Sequence, residues 1–213
     1  MKPFNGVSTL AALGLGWWRW IKQNAGPSMS LPGGPKQLDS TLLELGSSLL
    51  QGKAPVTALS AYVSGFHHPR GDLADQRETH RYFAQLNEDF IQCVMFDANT
   101  ADARLIGVEY LITERLFARL PIAERELWHS HRHDVDEGLL IAPGLPAGAA
   151  RARVDKLAGT YGKAWCTWDT ERDDLPLGTP RPMDPFTSAT QIRCSLREAR
   201  DHRLGARRTD GAG

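Results

Sequence analysis

Along the 213-residue chain the spacing of apolar positions changes period several times, and each change marks an element. Residues 38–51, LDSTLLELGSSLLQ, repeat leucine at 42, 45 and 49 behind Asp39 or Ser40 as N-cap, which predicts a helix. Residues 56–71 run from Val56–Val63 into GFHHPRG, a loop-like stretch. In residues 74–87, His80, Phe83, Ala84 and Asn87 fall at i, i+3, i+4 and i+7, which predicts a second helix. FIQCVMFD (90–97) and RLIGVEYLI (104–112) read as strands, the second with Ile106, Val108, Tyr110 and Ile112 on one face. The six residues ANTADA join them, so an antiparallel pair is expected. Pro121 opens a helix over PIAERELWHSHRHDV that Gly138 ends, with Pro at N1. A short strand at 139–142, a helix at 147–161 and a strand at 164–169 follow. The expectation is an α+β fold: one domain over residues 38–190, with a small, mostly antiparallel sheet packed by helices. An apolar, Trp-containing segment with a Gly/Pro linker (1–37) and an Arg-rich flexible tail (191–213) flank it.

Charge divides the chain differently. Lys plus Arg and Asp plus Glu are 25 each, so the net charge is zero and bulk attraction to polyanions is excluded. Residues 1–40 carry 4 basic against 1 acidic residue, residues 71–142 carry 7 against 14, and residues 193–213 carry 6 against 3. An acidic centre therefore lies between two basic ends. The C-terminal arginines lack interleaved aromatics, so no nucleic-acid partner is expected. No apolar run is long enough for a transmembrane span. The run LAALGLGWWRW carries Trp17, Trp18 and Trp20 beside Arg19 and Lys22, a set suited to the interface of a lipid surface. Three cysteines with no CxxC pair point to a reducing, cytoplasmic setting.

Chemistry concentrates in the centre. His129, His131 and His133 lie two apart, so on a regular helix His129 and His131 point oppositely and converge only if the helix ends near Ser130. HExxH is absent. Glu109 shares a strand face with Leu105, Gly107 and Leu111, where burial would suit it to acid–base work or metal binding. His80 sits beside Phe83 and Ala84, and Cys93 alternates with Ile91 and Met95. The candidate polar site is His80, Cys93, Glu109, His129 and His131. Its metal version uses His80, Glu109, His129 and His131 with a divalent ion. No GxGxxG, GxxxxGK[ST] or GxSxG is present.

The segments NEDFIQCVMFD (87–97), ARLIGVEYLIT (103–113), LFARLP (116–121), LWHSH (127–131), GLLIAPGLP (138–146), YGKAW (161–165) and LPLGTP (175–180) resemble the oil-body-associated protein family, a family of unknown function. The resemblance implies association with lipid droplets and assigns no reaction. His80, Cys93, Glu109, His129 and His131 match its motif positions. Arg81, Cys166 and Asp169 stand where the family tends towards His, so a site needing histidines there is not expected. Three readings follow. The first is peripheral association with lipid droplets or membrane surfaces, through Trp17, Trp18, Arg19, Trp20 and Lys22. The second is an enzyme or metal-binding protein using the His/Glu site. The third is a scaffold in which those residues only satisfy one another.

Overall fold

The computed structural model describes residues 31–34 and 36–204. The Trp17–Lys22 segment lies outside the described residues. The described residues divide into two compact units, one of those up to residue 52 with 100–102 and the other of residues 53–99 and 103–204. In the first, helix α1 (Leu38–Leu50) forms where the leucine spacing predicts it, and none of its residues is buried.

The second unit begins with the short helix α2 (Ala54–Thr57) and is built on seven strands. These are β1 (Ala61–Pro69), β2 (Arg77–Asn87), β3 (Phe90–Phe96), β4 (Leu105–Thr113), β5 (His129–Ser130), β6 (Thr160–Cys166) and β7 (Arg181–Pro185). All pairings are antiparallel, and the order is β4-β3-β2-β1-β7-β6-β5 with a further pairing of β4 to β6. That pairing matches Gly107–Thr113 to Cys166–Thr160 along the whole of β6, and it closes β1–β4, β6 and β7 into a six-stranded barrel. The antiparallel sheet expected from sequence is present, but it is not a small open one. Closure removes the exposed edges that an open sheet leaves.

The barrel explains the largest departures from the expected elements. Residues 77–87 form β2 instead of a helix. Thr79, Arg81 and Phe83 are buried on one face while His80 and Ala84 are buried on the other. With both faces covered, the period of two vanishes from the hydropathy pattern and a helical match arises by coincidence. The loop-like GFHHPRG lies largely in β1 for the same reason. The single helix expected after Pro121 is broken into α4 (Ile122–Arg125) and α5 (Arg132–Asp136), following α3 (Glu114–Phe117). Between them the chain is extended, because His129 and Ser130 pair with Gly162 and Tyr161 of β6. Gly138 ends α5 with a φ of +64°, a conformation open to glycine at little cost. Residues 139–142 form a single bridge, Ser64 to Ile141, where a strand was expected.

Inward positions alternate with register. Val63, Met95, Leu111, Ala164 and Met183 pack with Val154 and Leu157 of α6 (Ala147–Ala158) in the main core. A second cluster of Phe66, Leu139, Phe186 and Ile192 packs beneath α7 (Cys194–Leu204). Residues 194–204, expected to be a flexible tail, are thus helical. Arg200 explains why: it is 1% exposed, donates from Nη1 to Leu139 O at 2.6 Å and lies 4.4 Å over the Phe66 ring.

A buried histidine–glutamate centre

Among the apolar side chains of the barrel stands a group of buried polar ones. Glu109, Arg81, His67, His131, Thr79 and Asp134 are each 0% exposed. Period-two alternation places them. Gly107, Glu109 and Leu111 share the inner face of β4, and Glu109 pairs in register with Cys93 on one side and Ala164 on the other. Arg81 and Thr79 come from β2, and His67 from β1. His129 and His131 converge because the backbone is extended between them, which turns two residues of that spacing to the same side. Trp128 and Lys163 brace this stretch through Glu124, with hydrogen bonds of 3.0 and 2.7 Å.

Glu109 is the hub. Its Oε1 lies 3.0 Å from His131 Nε2 and 3.3 Å from His129 Nε2, and its Oε2 lies 3.4 Å from Arg81 Nη1. Burial alone would raise its pKa, but His131, His129 and Arg81 outweigh that and hold the carboxylate well below its usual range. Burial pushes His67 and His131 below the ordinary imidazole value, with Arg81 acting in the same direction. Burial, reinforced by Glu109, raises the Cys93 thiol well above its usual value, so Cys93 is a protonated core residue rather than a nucleophile.

Gly162 supplies the room. A Cβ there would stand 2.6 Å from His131 Cε1 and 2.7 Å from His129 Nε2, and closer still to Glu109 Oε1. His67, Glu109 and His129 each offer one ligand atom, and these atoms all lie within 4.8 Å of one another.

Of the residues expected at the site, the structure gathers Glu109, His129 and His131 and sets Cys93 beside Glu109 in register. His80 is not with them. It lies on the opposite face of β2, where Tyr62 Oη is 2.7 Å from its Nδ1 and Glu78 Oε1 is 3.4 Å from its Nε2. That correction follows from the strand: a helix would have allowed His80 to face with Phe83, but a strand gives them opposite faces. His67, Thr79, Arg81 and Asp134 were missed. His67 sat in an apparent loop, and only a period-two reading of VSGFH would have turned it inward with Val63 and Gly65.

A small closed antiparallel barrel enclosing a His/Glu/Arg centre is the class of protein that this fold and site define. A family model described as "Protein of unknown function (DUF1264)" matches residues 53–211. Oil body-associated protein 2A of Zea mays is 41% identical over 180 residues, which is 82% of this chain and 70% of that protein. Oil body-associated protein 1A of Zea mays is 39% identical over 179 residues, 84% of this chain and 75% of that protein. Oil body-associated protein 1B of Arabidopsis thaliana is 35% identical over 182 residues, 85% of this chain and 75% of that protein. The chain belongs to the oil body-associated protein family. No solved structure matches it.

Proposed function

We propose that the protein associates peripherally with the surface of lipid bodies, on their cytoplasmic side, through its N-terminal part. The observation that carries this reading is the kinship itself, to oil body-associated proteins at 35–41% identity. Two further features support it. No helix among the described residues is long and apolar enough to cross a membrane. Helix α1 carries Leu38, Leu42, Leu43, Leu49 and Leu50 exposed on a segment with only Asp39 and Glu44 as charges. Such a helix can lay leucine side chains among acyl chains while the backbone stays hydrogen-bonded to itself. The Trp17, Trp18 and Trp20 rings, with Arg19 and Lys22, add an interfacial anchor ahead of it.

The test is flotation of the full-length protein with triacylglycerol droplets coated with phosphatidylcholine. The protein is expected in the floating fraction. Two leucines at about 1.5 kcal/mol each correspond to roughly 100-fold in partitioning. The double variant L42E/L49E, and the triple variant W17A/W18A/W20A, are therefore expected to lose most of the floating protein. Wild-type protein that stays wholly in the aqueous fraction at low salt defeats the proposal.

A further inference from the structure

We propose that the barrel interior is a mononuclear site for a divalent transition-metal ion, held by His67, His129 and Glu109 with His131 as an additional donor. This goes beyond lipid association and does not rest on it.

The hydrogens available to the buried histidines limit how they can bond. Thr160 Oγ1 donates its one hydrogen to Leu157 O at 2.7 Å, so toward His131 it can only accept. His131 Nδ1, 3.1 Å away, must therefore carry the hydrogen and donate it. Its other nitrogen, Nε2, then presents a lone pair to Glu109 Oε1 at 3.0 Å, an acceptor facing an acceptor. The same wiring recurs at His67. Thr79 Oγ1 donates to Gly65 O at 3.4 Å, and His67 Nδ1 donates to Thr79 Oγ1 at 3.0 Å. That leaves His67 Nε2 fully buried with no hydrogen-bond partner. At His129, Asp184 Oδ1 lies 3.8 Å from Nδ1 and favours the proton there, while Nε2 lies 3.3 Å from Glu109 Oε1. Two imidazoles thus turn their Nε2 atoms toward one carboxylate, and a ring nitrogen of His67 lies within 4.8 Å of it.

Buried acceptors aimed at one another repel unless something positive lies among them. A metal ion among His67, Glu109 and His129, whose ligand atoms lie within 4.8 Å of one another, meets three of them, and His131 Nε2 lies 3.0 Å from the same carboxylate. Bonds of about 2.0–2.1 Å to nitrogen and oxygen put neighbouring ligand atoms roughly 3.0–3.4 Å apart, the range of the Glu109 contacts. The outward Nδ1–H groups of His67 and His131, held by Thr79 and Thr160, are the outer-shell bonds that fix a ligating histidine in orientation, whereas His129 Nδ1 has no hydrogen-bond partner. Gly162 leaves space on the β6 side, since any Cβ there would collide with three of these groups. Imidazole with a single carboxylate selects Zn, Fe(II), Mn or Cu over Ca or Mg, which prefer oxygen donors throughout. Cys93 is outside the ligand set, so the donors are nitrogen and oxygen only.

The test uses full-length protein stripped with a chelator under mild denaturant, refolded and titrated separately with Zn(II) and Co(II). About one equivalent of each is expected to bind, with a rise in Tm on metal addition. The Co(II) complex is expected to show visible d–d bands without the near-ultraviolet band of a thiolate ligand. His67→Asn and Glu109→Gln are each expected to weaken binding more than about 100-fold. His80→Asn, which alters a histidine on the outer face, is expected to leave affinity within about twofold. Far-ultraviolet circular dichroism checks that each variant folds, and the wild-type titration decides the matter if one does not. No stoichiometric binding to wild type overturns the proposal, and so does binding that survives both His67→Asn and Glu109→Gln. In either case the proton count is met by a His131 imidazolium paired with Glu109.

Discussion

Asp134 offers a direct measurement of the interior field. It lies in α5, fully buried, and neither carboxylate oxygen has a hydrogen-bond partner. Burial pushes its pKa up to about 8, Arg81 opposes the rise and Glu109 adds to it. In an unfolded chain an aspartate titrates at about 3.9. Between roughly pH 4 and pH 8 the folded protein therefore binds one proton more than the unfolded chain at this position, and stability falls as pH rises. The gap spans about four pH units at about 1.4 kcal/mol each, so the cost approaches roughly 5 kcal/mol at pH 8. Asp134→Asn keeps the shape and removes the titration. The Asn amide does not titrate, so whatever its burial costs does not change with pH. Urea unfolding of metal-free wild type and variant from pH 4 to pH 9 isolates the effect, because Arg81, Glu109 and the histidines are common to both. The variant is expected to gain on wild type by up to about 1.4 kcal/mol per pH unit, levelling off above pH 8. A stability difference that stays constant across the range refutes the reasoning.

Two other substitutions probe the architecture. Gly162→Ala places a Cβ against His131, His129 and Glu109, and an overpacked interior of this kind costs about 1–3 kcal/mol. Urea unfolding of the variant near wild-type stability would show that the centre is looser than described. Arg200→Ala removes the bond to Leu139 O, the pairing with Asp201 and the contact with Phe66, at an expected cost of about 2–4 kcal/mol. A thermal melt unchanged within about 1 °C would mean that α7 frays from the barrel and contributes nothing.

Elements whose apolar positions keep one regular period were legible in the sequence. β3 and β4 stand where FIQCVMFD and RLIGVEYLI predict them, and α1 and α6 where leucine and valine recur at helical spacing. Segments covered on both faces were not. β2 carries His80 and Tyr82 on one side and Thr79, Arg81 and Phe83 on the other, so no clean alternation survives. Barrel closure was invisible because it is a pairing of β4 with β6, separated by 46 residues of helix, loop and the short β5. At the site, Glu109 was legible as a carboxylate on a strand face with Gly107 and Leu111. The convergence of His129 and His131 was legible as a condition, a break in the helix near Ser130, and the condition is met. His67 required knowing that VSGFH is a strand, and Asp134 required knowing that α5 turns inward.

Burial of the centre also constrains how it works. Glu109 and His67 have no exposed surface, and the His129 side chain keeps 8%. A droplet surface cannot touch these groups while the barrel is closed, so lipid contact and the interior site can influence one another only through the stability of the fold. An ion held there exchanges only when the strand pairing around β5 opens, so loading belongs with folding and removal is slow. β5 is the weak point, since it is held to β6 by two residue pairs against the seven that join β4 to β6. His129 lies on that short strand and faces what little solvent reaches the centre. A substrate or a second ligand would therefore enter past His129, and opening there would release one ligand while His67 and Glu109, on the long strands β1 and β4, stay in place.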